Sequence, residues 1–148
     1  MIAIPILQLL NVLNVAVADW LNVANEVHLG QTDIPINRDT TIAELEAVGN
    51  EADFAGYAAK TDLVFSAAVV DNDGNPKVIA TETCMFAPTD GTKPQQIFHY
   101  WVTNAAGDLL FCERFPDDNP QFANDVPDVV AFTPAFGLPE YPSAAISG

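Results

Sequence analysis

A chain of 148 residues, 49% hydrophobic and 17% charged, carries enough apolar material for one hydrophobic core and too little charge for a disordered chain. Twenty Asp and Glu against five Lys and Arg give a formal charge of -15, which repels phosphate backbones and anionic bilayers and so argues against nucleic acid and membrane as partners. Two cysteines, Cys84 and Cys112, are too few for a disulfide scaffold or a four-ligand zinc site; reduced core thiols and one bridge between strands both remain open.

The first Lys or Arg is Arg38, so the chain does not open with the positive segment of a secretory signal. Gln8, Asn11, Asn14, Asp19 and Asn22 recur every three or four positions, with Leu7, Leu10, Leu13, Val17, Trp20, Leu21 and Ala24 opposite them. This spacing predicts an amphipathic helix over 1–29, too often interrupted by polar residues to span a membrane. Its apolar side must pack on the rest of the domain or on a second subunit. Leu10, Leu13, Val17, Trp20 and Leu21 are therefore interface candidates.

Residues 30–60 read as a connector, with turn residues near Pro35 and a short helix capped at Thr40 or Thr41. Glu44 follows Thr41 by three, as a capping box requires. Phe54 and Tyr57 are expected to anchor its end.

From residue 62 the pattern is that of strands. "LVFSAAVV" and "PKVIATETCMF" flank a turn at Asn72, Asp73 and Gly74; "QIFHYWVT" and "DLLFCERF" flank "NAAG"; "VVAFTPAFGL" closes the series, with Pro134 suiting an edge. The fold class expected is mainly β: an antiparallel β-sandwich or barrel with an N-terminal amphipathic α-helix, 1–29 being the helix and 30–148 the β-rich part of one compact domain. A hairpin tip at Ala105 and Ala106 would set His99 opposite Cys112 and Ile97 opposite Arg114. Leu109, Phe111, Glu113 and Phe115 would then share one face, and Leu110, Cys112 and Arg114 the other.

Motifs that carry chemistry are few. "DNDGNP" (71–76) places glycine fourth rather than sixth and has no glutamate at the twelfth place, so it reads as a turn and not a calcium loop. Asp117, Asp118, Asp125 and Asp128 lie on an acidic stretch, 117–128, read as an exposed loop, with weak calcium binding through its oxygen ligands as the lesser alternative. His28 and His99 have no ligand-like neighbours in sequence, and no G-x-S-x-G elbow or Gly-rich phosphate loop occurs. No catalytic residue, metal or cofactor is expected, and the chain is read as a non-enzyme.

The order of segments is informative. "VHLGQTDIPINRDTTIAELEAVGNEADFAGYAAKT", an apolar hairpin, "IFHYWVTNAAGDLLFCERF" and "DVVAFTPAFGL" follow one another. Ala52–Phe54 with Gly56–Ala58, Tyr100–Leu110, Glu113–Phe115, and Thr133, Pro134 and Phe136 carry the likeness, which resembles a group of small structural proteins encoded by tailed bacteriophages. The long N-terminal helix and the two cysteines depart from that pattern. The resemblance implies a non-enzymatic virion component on the capsid surface, a decoration or cement protein that binds the major capsid subunits or other virion subunits and self-associates. A tail or fibre position comes second. In such a part Arg114 clamps a carboxylate of its own chain or anchors an interface, and Phe136 lies on a docking edge. The rival class is a host-surface, carbohydrate-binding module with Tyr100, Trp101 and Tyr141 as an aromatic platform.

Overall fold

The computed structural model describes residues 5–21 and 24–137. Helix α1 (Ile6–Ala16) follows Pro5 and runs into a π-helical turn, Val17–Leu21. The wider turn lets Leu21 enter the core beside Leu13, and both are fully buried. Asn14 Oδ1 accepts the Ala68 N–H at 2.8 Å and ties the helix to the β-rich part.

The helix ends well before residue 29. Glu26–Gly30 is a strand, β1, because Val27 and Leu29 alternate with Glu26 and His28, a period of two that no helix can bury on one side. The short helix α2 (Ile42–Leu45) has the expected capping box: the Glu44 N–H donates to Thr41 Oγ1 at 3.3 Å and the Thr41 N–H to Glu44 Oε2 at 3.1 Å. Phe54 is buried, with Tyr57 edge-on to it at 5.3 Å between ring centroids.

The remaining strands are short: β2 (Lys60–Thr61), β3 (Val69–Val70), β4 (Pro76–Ile79), β5 (Cys84–Phe86), β6 (Gln95–Ile97), β7 (His99–Thr103), β8 (Leu109–Arg114), β9 (Gln121–Ala123), β10 (Val130–Phe132) and β11 (Ala135–Gly137). They form antiparallel sheets ordered β2-β1-β7-β8, β11-β4-β3, β10-β5 and β6-β9. The chain is thus mainly β with an N-terminal helix. The acidic stretch 117–128 is not all loop, since it contains β9, paired with β6. Pro134 separates β10 from β11; lacking an N–H, it still accepts the Ala80 N–H at 2.8 Å, and β11 lies at a sheet edge. Turn 71–75 is closed by Asp71 Oδ1, which accepts the N–H groups of Asp73 and Asn75, each at 2.9 Å.

The central hairpin is offset from its expected register. The Asn104 N–H meets the Asp108 C=O at 3.1 Å, with Gly107 at φ 85°, so the loop holds one residue more than a two-residue tip. A further irregularity at Val102/Thr103 completes a shift that sets His99 opposite Arg114 and Trp101 opposite Cys112. The bulge also carries Leu110 into the core, away from Cys112 and Arg114. Glu113 and Arg114 point to opposite faces as expected. Tyr100 donates to Glu113 at 2.7 Å, and Arg114 lies on the far side with His99.

Candidate functional site

All five residues of β7 are buried, which requires cover on both faces of its sheet. One face, with Val27, Leu29, Tyr100 and Val102, belongs to the main core. The other carries His28, His99 and Trp101 and lies under the segment 31–50, whose ends are joined where the Gln31 N–H donates to the Asn50 C=O at 2.7 Å.

Beneath that strap the aromatic rings are stacked. His28 lies parallel to Trp101 with centroids 5.1 Å apart, and His99 follows at 5.8 Å. His28 Nδ1 is 2.7 Å from Glu51 Oε1, and its Nε2 is 3.2 Å from Thr103 Oγ1 and 3.4 Å from Glu26 Oε2. Tyr57 donates to the same Glu51 oxygen at 3.0 Å and accepts the Leu29 N–H at 3.0 Å. Deeper still, Asn50 Nδ2 contacts His99 Nε2 at 3.1 Å and donates to the Leu45 C=O at 2.6 Å. His99 Nδ1 and Trp101 Nε1 are buried without a hydrogen-bond partner among the described residues.

Arg114 fastens the strap. Its Nη1 is 2.6 Å from Asp33 Oδ1 and donates to the Ile34 C=O at 3.3 Å; its Nη2 reaches Asp117 Oδ1 at 3.0 Å, and the guanidinium lies over the Phe98 ring at 5.6 Å. Asp117 and Asp33 raise its pKa further. Of the two roles expected for Arg114, the structure shows the clamp within its own chain. The arrangement locks a loop onto a sheet.

Burial, reinforced by the Arg114 charge, lowers the His99 pKa to about 4. An unfolded histidine titrates near pH ~6.5 and binds the proton that folded His99 refuses, so stability falls as pH drops from about 6.5 to about 4 and this contribution levels off below. A loss of up to ~3 kcal/mol is expected across that window. Urea unfolding midpoints against pH check it: His99→Gln should flatten the slope between those limits. An unchanged slope would assign it to other groups, and the lowered Asp53, Asp71 and Asp90 titrate below that window.

The residues singled out from the sequence divide. Leu13 and Leu21 are taken by the chain's own core and cannot serve an interface; Val17 and Phe136 pack against that core, and Leu10 is half-buried. The Trp20 side chain and Tyr141 lie outside the described residues. Tyr100 and Trp101 are 2% and 0% exposed, so they offer no platform to a sugar. Cys84 and Cys112 are both free thiols. Among the described residues no cluster of three His, Cys, Asp or Glu is placed to hold a metal, and no helix is long and apolar enough to cross a membrane.

The outer side of α1 carries Leu7, which the spacing sets on the apolar side, with Val12 and Val15, which that spacing does not include. With Leu13 turned inward, Leu7, Val12 and Val15 stand 65%, 55% and 59% exposed. Comparison with family models, curated proteins and solved structures finds no match to the chain.

Proposed function

We propose that this chain is a non-enzymatic structural subunit of a tailed-bacteriophage virion, a decoration or cement protein on the capsid surface that binds the major capsid subunits. The observation that carries the reading is the outer side of α1. Three large apolar side chains on one short helix face water while the core is already served by Leu13 and Leu21, an arrangement that favours a surface awaiting a partner. The ordered segments from His28 to Phe136 supply the virion context through their resemblance to phage structural proteins.

In this reading the helix lies on a capsid subunit, burying ~800 Å² per partner as stable interfaces do, and the acidic remainder of the surface keeps the particle soluble. Arg114 holds the strap in place and takes no part in that helix–capsid contact. Removing the whole N-terminal segment would take Leu13 and Leu21 from the core and confound folding with docking. Quantitative mass spectrometry of purified particles is the test: a copy number in simple ratio to the major capsid subunit supports the proposal, a handful of copies moves the chain to the tail or a fibre, and absence overturns it.

A further inference from the structure

Among the described residues the sheet β2-β1-β7-β8 ends at β8, and only half of that strand's backbone groups bond to β7. The Phe115 N–H donates to the Phe98 C=O at 2.8 Å while His99 faces Arg114. This fixes the alternation: Tyr100/Glu113 and Val102/Phe111 exchange the ladder bonds, and the N–H and C=O groups of Cys112 and Arg114 point away from β7. They border an open groove of about 560 Å³ that follows every residue of β8, flanked by Ile36, Arg38 and Thr40 and by Phe136. No Pro or Lys blunts the strand, which leaves a six-residue edge of the kind that accepts another strand.

We infer that this edge is a self-association surface: β8 pairs antiparallel with β8 of a second copy across a two-fold axis at Cys112. Two observations select a second copy over another partner. The first is charge. In a chain of -15 both arginines, Arg38 and Arg114, line this groove beside Glu113; Arg114 is already paired with Asp33 and Asp117, and Arg38 adds a further positive charge, so two like-charged copies meet here with less repulsion than at the acidic faces elsewhere. A basic protein would be drawn to the acidic faces elsewhere.

The second is register. A strand paired with itself exchanges donors and acceptors reciprocally, as an isologous contact requires. Centring the axis on Glu113 would set two carboxylates directly opposite, which is destabilising. Centring it on Cys112 sets Arg114 against Leu110 of the second copy and Glu113 against Phe111, with no like charges opposed. The inference stands on the strand edge and holds wherever the protein works.

Light scattering of the full chain over a concentration series, with a crosslinking arm, tests it. Two Cys112 residues in a hydrogen-bonded pair would lie ~5.5 Å apart at Cα, within disulfide reach. In a Cys84→Ser background, copper phenanthroline should therefore take two electrons from the paired thiols, with release of two protons, and yield a Cys112–Cys112 peptide. Cys112→Pro removes only an outward N–H and keeps the bonds to β7; circular dichroism confirms its fold, and its dimer dissociation constant should rise about tenfold or more. A monomer at every concentration overturns the inference, as does a dimer that Cys112→Pro leaves intact and that yields no Cys112–Cys112 peptide on oxidation. If Cys112→Pro fails to fold, the crosslink decides alone.

Discussion

Gly30→Ala is expected to unfold the strap from the sheet. Gly30 faces His99 across β1 and β7, and a Cβ built on it would fall inside the van der Waals shell of the His99 ring. His99 is fully buried and held by Asn50, so the ring cannot swing out to water without breaking the contact that seats residues 31–50. Overpacking of this kind costs on the order of 3 kcal/mol, or a fall in Tm of about 10 °C for a domain of this size. Gly30→Ala/His99→Ala separates the clash from any intrinsic cost of alanine in the strand. The double variant should be more stable than Gly30→Ala alone, because the two sites are in contact and cannot add. If it is less stable, the ring is not what Gly30 accommodates.

Asn25→Ala should lose a comparable amount by a different route. Asn25 Nδ2 donates to the C=O groups of Leu21 at 2.5 Å and Leu63 at 2.6 Å, and its Oδ1 accepts the Leu63 N–H at 2.8 Å. The residue is 1% exposed. One side chain thus joins the end of the π-helical turn to a segment distant in sequence, and alanine leaves buried backbone groups unpaired. Each costs about 1–3 kcal/mol, for a total of ~3 kcal/mol. Thermal unfolding would show it as a drop of about 10 °C, with α1 exchanging its amides faster than the β7–β8 hairpin. A neutral result would mean that these carbonyls find other partners.

The legible parts of the fold are those in which local chemistry and tertiary packing agree. Thr41 with Glu44 marked a helix start and formed a capping box. "HYWVT" read as a strand and is β7. The side-chain alternation that separates Glu113 from Arg114 survived a wrong register, because a shift of two residues preserves faces. β1 was lost inside the predicted helix because "EVHLG" continues an apolar run and its partners are non-local, 33 to 35 residues away in β2 and 69 to 77 in β7. β9 was hidden by the acidic residues around it.

The site was less legible than the fold. A strand buried on both faces says that something covers His99 and Trp101, but only the three-dimensional path of residues 31–50 says what. Gly30, a glycine within an alternating strand, was the available signal of a close approach. In α1 the periodicity set Leu7 beside Leu10, Leu13 and Val17, yet the core takes Leu13 and leaves Leu7 exposed, together with Val12 and Val15, which lie off that stripe.

The central claim, that this is a capsid-surface subunit docked through the outer side of α1, is tested most directly by counting copies per major capsid subunit in purified particles, for the native chain and for L7Q/V12Q/V15Q. The account predicts a simple stoichiometric ratio for the native chain and a loss of occupancy of about tenfold or more for the variant, folded as the native chain is. Absence of the native chain from particles, or full occupancy by the variant, would contradict it.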